Sequence, residues 1–123
     1  MPIRLSRAQF EDLVAEAVDR LPDDFAALLD NVAVTVEEEP TEEDLAEVGM
    51  SSEEGEELFG LYQGISLPER DSFYSALPDR VVIYRGPILR ACSSRREVLR
   101  EIRDTVVHEL GHYFGMDEEQ MPY

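Results

Sequence analysis

Apolar residues recur at helical spacing from Phe10 through Leu13, Val14, Ala17 and Val18 to Leu21, which predicts an amphipathic helix over about residues 7 to 20. Ser6, followed three residues on by Gln9, has the pattern of a capping box that would start it. Pro22-Asp23-Asp24 restarts the chain with a proline and two acids suited to a helix N-terminus, so a short second helix is expected from Phe25 to Leu29. At Val32 the period changes to two. Val32, Val34 and Val36 share one side and Ala33, Thr35 and Glu37 the other, as in a half-buried strand.

From Glu37 to Glu57 eleven acidic residues occur with no basic one, and Pro40, Gly49 and Gly55 punctuate the run. This segment is expected to loop out, with one short helix starting at Thr41. Leu58 to Gly64 is apolar and carries two glycines, and predicts a second strand. Residues 65 to 79, with two prolines, read as a long loop. Arg80 to Arg85 is the strongest β-branched and aromatic run, a third strand that Gly86-Pro87 is expected to end. Ser94 with Glu97 repeats the capping-box pattern, and the stretch to Phe114 has no proline and no glycine before Gly111. It predicts one long helix, with Val98, Leu99, Ile102, Val106, Leu110 and Tyr113 in one apolar sector. Arg96, Arg100, Arg103 and Asp104 lie opposite, and His108 and His112 fall on the border. The expected fold is a single α+β domain over residues 1–123, a mixed sheet of three or four strands packed on the last helix and the N-terminal helix.

A chain of 123 residues has room for one modest core and no second domain. Its 28 acidic residues against 11 basic ones, all arginine, give a net charge of -17. Such a surface repels nucleic acid and anionic membrane and attracts cations or basic polypeptides. Cys92 is the single cysteine, so no intrachain disulfide can form; it is expected to be a small buried hydrophobe. No apolar leader and no run of 18 apolar residues occurs, so neither export nor a membrane span is expected and the cytoplasm is the default.

The chemistry lies in His108-Glu109-Leu110-Gly111-His112. Two histidines four apart on a helix differ in direction by about 40°, so their imidazoles open on one space and can share an ion. Zinc suits neutral imidazole and, in catalytic sites, takes three protein ligands and leaves one position for water. Glu109, rotated about 100° from His108, is placed to act on that water as general base rather than as a ligand. The spacing therefore points to amide hydrolysis without a covalent intermediate.

The longer run from His108 to Glu118, HELGHYFGMDE, resembles the extended HExxHxxGxxD motif of the small bacterial zincin-like metallopeptidases, or mini-zincins. The likeness extends to Leu58–Ile65 and Leu77–Pro87. It implies a minimal zincin-like domain, zinc as cofactor, and Gly115 as the turn that folds an acidic residue back onto the metal. Glu118 stands where the family has aspartate, and is implied as third ligand with His108 and His112; Asp117, one residue short, is the other candidate. By the same resemblance Arg80 to Arg85 would be an edge strand beside the active-site helix, where an extended peptide adds. Tyr113 and Tyr123 offer phenols near the site, whereas Met116 and Met121 read as packing residues.

Two function classes follow. One is a zinc-dependent peptidase acting on a peptide or protein; the other is a zincin scaffold that binds or regulates without turnover. Small size leaves little to form the second wall of a cleft, which a homodimer or the acidic segment would have to supply. Two histidines and one carboxylate make a site weak enough to lose zinc on purification. An acidic module engaging basic partners through residues 37–57 ranks third.

Overall fold

The computed structural model of the protein describes residues 3–49, 57–64 and 79–115. The first helix, α1 (Arg7–Asp19), begins at the expected capping box: Gln9 N–H donates to Ser6 Oγ, and Ser6 N–H to the Gln9 side chain at 2.8 Å. A short α2 (Asp23–Leu28) follows Pro22 and passes through a 3-10 turn, Leu29–Asn31, into β1 (Val32–Glu37). Thr41 caps α3 (Glu42–Glu47), and β2 (Gly60–Gln63) and β3 (Asp79–Tyr84) complete the strands among the described residues. The helix α4 (Arg85–Ala91) runs directly out of β3, and α5 (Arg95–Tyr113) is the longest element. The expected loop over residues 65 to 79 lies outside the described residues, apart from Asp79, which opens β3.

The three strands form one mixed sheet in the order β1-β3-β2. Val34 of β1 pairs in parallel with Val81 of β3, and Leu61 of β2 pairs antiparallel with Val82. Arg80 to Arg85 is therefore not an edge: β3 is the centre of the sheet. Val81, Val82, Ile83 and Tyr84 are all fully buried, so this strand is covered on both faces. A continuous apolar run with no alternation is what such a strand requires.

β3 stops at Tyr84, next to the Gly86-Pro87 pair expected to end it, and the chain runs straight on with that pair in the first turn of α4. Proline is tolerated in a first helical turn, where its missing N–H has no intrahelical partner to lose. Gly86 N–H donates to the Glu38 carbonyl at 2.9 Å, and that oxygen would lie 2.8 Å from any Cβ placed there.

On one face of the sheet α1 and α5 pack over Val81 and Ile83, with Phe10, Val98, Ile102, Val106 and Leu110 fully buried between them. Val32, Val34 and Val36 join this core from β1, on the side that their alternation assigns. Cys92 is buried in it as a small apolar group, and burial pushes its thiol above the ordinary value. The opposite face gathers Leu61, Val82 and Tyr84, with Leu58 against them. There the Tyr84 hydroxyl donates to Asp44 Oδ2 at 2.8 Å, tying α3 to the central strand.

Candidate metal centre

The helix that carries the histidines is fixed at both ends and along its length. Ser94 Oγ accepts from Glu97 N–H at 3.1 Å at its start, while the Glu97 carboxylate turns to Ser93 N–H, so the second half of the capping box falls one residue early. At its end Phe114 N–H still reaches the Leu110 carbonyl, and Gly115 adopts a φ of +82°, a left-handed turn that glycine takes without a side-chain clash. Between them Thr105, Val106, Val107 and Leu110 are buried against the sheet.

His108 and His112 stand side by side on this helix, their ring centroids 6.1 Å apart and their planes 23° from parallel. Imidazoles that share one zinc at about 2.1 Å from each nitrogen need centroids roughly 5 to 6 Å apart, so the pair fits half of a zinc site with little adjustment. His108 is half-buried and His112 exposed. Among the described residues no three histidine, cysteine, aspartate or glutamate side chains gather to hold a metal. Glu118 and Asp117, the third-ligand candidates, lie outside the described residues, as do Met116, Met121 and Tyr123.

Glu109 reaches the sheet. Its Oε1 accepts a hydrogen bond from Tyr62 N–H at 3.0 Å. Tyr84 N–H donates to the Phe59 carbonyl, so antiparallel alternation turns Tyr62 N–H away from β3, toward the outer side of β2. Among the described strands β2, not β3, is thus the edge beside the metal-candidate helix. Burial pushes the Glu109 carboxyl above the ordinary carboxylate value; the Tyr62 N–H opposes this, and His112 and His108 oppose it at longer range.

Two aromatic contacts frame the same spot. Tyr113, one residue past His112, stacks on the Tyr62 ring at 3.9 Å and 16°, and Phe114 meets Tyr113 edge-on at 5.1 Å. The Tyr62 hydroxyl donates to Asp79 Oδ2 at 2.9 Å, so the ring under Tyr113 is anchored to the start of β3. Glu101 lies two helical turns before His108 on nearly the same face. Burial and Asp104 raise its carboxyl, and His108 opposes them. Sequence reasoning passes over both Tyr62 and Glu101. The seven-residue spacing from Glu101 to His108 signals a shared face, but nothing in the sequence shows that Tyr62 N–H meets Glu109.

A sequence model of the family described as zincin-like metallopeptidase matches residues 29–123. The chain belongs to that family. Among solved structures this zincin-like protein is similar to a conserved hypothetical protein from Thermus thermophilus, with 24% identity and a TM-score of 0.59. That match covers 89% of this chain and 94% of the other, and it shows a shared fold. No curated protein matches the sequence. The zincin-like domain accordingly consists of a small mixed sheet with helices on it, and no described helix is long and apolar enough to cross a membrane.

Proposed function

We propose that this protein is a zinc-dependent peptidase, with His108, His112 and Glu118 as metal ligands and Glu109 as general base; Asp117 is the alternative third ligand. The observation that carries the reading is the pairing of the two imidazoles 6.1 Å apart on α5 with a partly desolvated Glu109 one residue along. Zinc, when bound, supplies Lewis acidity, polarising a carbonyl and bringing the pKa of a water toward neutrality. Glu109 takes the proton from the attacking water and delivers it to the leaving amine, and its raised pKa suits both transfers. An extended peptide would lie along the outer side of β2, held by main-chain hydrogen bonds. It would compete with Glu109 for Tyr62 N–H, so substrate docking would release the carboxylate to the water.

One observation favours a second reading, a zincin scaffold that binds without turnover. In the hydrogen bond to Tyr62, Glu109 already has a structural role in joining α5 to the sheet. Zinc titration by calorimetry on metal-stripped protein, followed by a peptide-library hydrolysis screen, tests both. The peptidase reading expects one tight zinc, its loss in His112→Ala and Glu118→Ala, and hydrolysis that Glu109→Gln abolishes while zinc stays bound. Zinc binding with no hydrolysis by the unaltered chain supports the scaffold, and failure to bind zinc overturns the peptidase.

A further inference from the structure

The positive charge of the chain is unevenly distributed. Of its eleven arginines, Arg7, Arg85 and Arg90 pair with the acidic run at Glu38, Glu39 and Glu57. Four others converge elsewhere. Arg20, just past the end of α1, and Arg96, Arg100 and Arg103 on α5 line a recess of about 250 Å³, with Ala17 and Leu99 as its apolar lining. The three α5 arginines sit at i, i+4 and i+7 and so form one stripe, roughly a third of a turn from the stripe carrying His108 and His112. The recess is therefore separate from the candidate metal centre.

This arrangement runs against the electrostatics of the rest of the molecule. Arg20 is held by Glu16 at 2.7 Å and Arg103 by Asp104 at 2.9 Å. Among the described residues Arg96 and Arg100 form no salt bridge, and Arg100 meets only the longer-range charges of Glu97 and Glu101. Like charges four apart on a helix destabilise it, so the stripe costs the free protein something that a bound anion would offset. A guanidinium fork matches phosphate oxygens two at a time, and several forks around one small volume suit a multiply charged group. The volume is below the range of about 300–1,000 Å³ typical of drug-sized ligands, which fits a compact head group. A large polyanion would meet the field of the whole molecule, at -17. At physiological salt that field is screened beyond about 8 Å, so a small anion inside the recess is governed by the arginines beside it.

We propose that the recess between α1 and α5, lined by Arg20, Arg96, Arg100 and Arg103, is a binding site for a compact phosphoryl anion of the pyrophosphate type. The test is calorimetric titration of pyrophosphate into the full chain freed of metal on a chelating resin, repeated in His112→Ala so that any residual metal is out of play. The expected result is saturable one-to-one binding in both proteins. Arg96→Gln/Arg100→Gln should weaken it about tenfold or more, Arg96→Lys/Arg100→Lys should fall between, and Arg95→Gln, outside the recess, should leave it unchanged. Far-UV circular dichroism checks that each variant is folded. Absence of saturable binding, or binding indifferent to Arg96 and Arg100, overturns the proposal. Citrate binding as tightly as pyrophosphate overturns the phosphoryl assignment in favour of a carboxylate. Loss of binding in His112→Ala alone assigns the anion to the metal centre and overturns the separate site.

Discussion

At Gly60 the backbone of β2 passes so close to α5 that a Cβ would lie 2.4 Å from Thr105 Cγ2 and 2.9 Å from the Val82 carbonyl. Thr105 is one turn before His108 and Glu109, so this glycine sets how near the chemistry-bearing helix stands to the strand. Gly60→Ala should destabilise the fold by about 1–3 kcal/mol in urea denaturation, the usual cost of overpacking. Gly60→Ala/Thr105→Ser should recover part of that loss and none of the carbonyl clash. In sequence the same glycine only weakens the strand pattern, because nothing local marks which helix will press on it. Asp44 is likewise unreadable in sequence: one more acid in an acidic run, yet buried under Tyr84 and Thr41. Burial works to raise its carboxyl, but hydrogen bonds from Thr41 and Tyr84 outweigh burial and hold it below the ordinary value. A carboxyl lowered by folding adds stability that is complete above about pH 4 and is lost as pH falls through its folded value. Asp44→Asn should therefore be less stable at pH 7 yet lose stability less steeply from roughly pH 4 to 2, as urea unfolding at each pH will show.

Among the elements, α1 and α5 are the most legible, since each combines a capping residue with a long 3.6-residue period, and both start where the cap places them. Ser94→Ala should cost about 1 kcal/mol, measured by thermal unfolding, because it leaves Glu97 N–H without its acceptor. Leaving Glu97 in place keeps its bonds to Ser93, so the loss should be smaller than for removing both. The sheet is less legible. Sequence locates β1, β2 and β3 to within two residues, but strand order depends on which edges find partners, and that information is not local. Family likeness assigns the apolar run of β3 to an edge, whereas the burial of both its faces argues for the centre. The same gap explains α4: a glycine-proline pair ends a strand pattern, but whether a helix or a loop follows is decided by the Glu38 carbonyl waiting to receive Gly86 N–H.

For the molecule as a whole, the acids outnumber the arginines by so much that ion pairs cannot balance them. The pairs of Arg7 and Arg90 are about half exposed, and such surface pairs contribute at most about 1 kcal/mol each. Self-repulsion across a charge of -17 is longer in range and is screened by the same salt. The repulsive part is the larger, so raising sodium chloride from about 0.05 to 0.5 M should raise the melting temperature, as scanning calorimetry can measure. The histidine pair, the helix that bears it and the α+β class are legible because they are written in spacing; the contact that joins Glu109 to the sheet is not, because Tyr62 is forty-seven residues away. That separation has a counterpart in the sheet itself. Val32 pairs with Asp79, and a parallel ladder of this kind closes only across a long crossover connection, here from residue 38 to residue 78. The entropy of closing so large a loop is met before its contacts reward it, so the rate at which this small protein folds should be set by the docking of its first strand onto its third, with both long helices already formed.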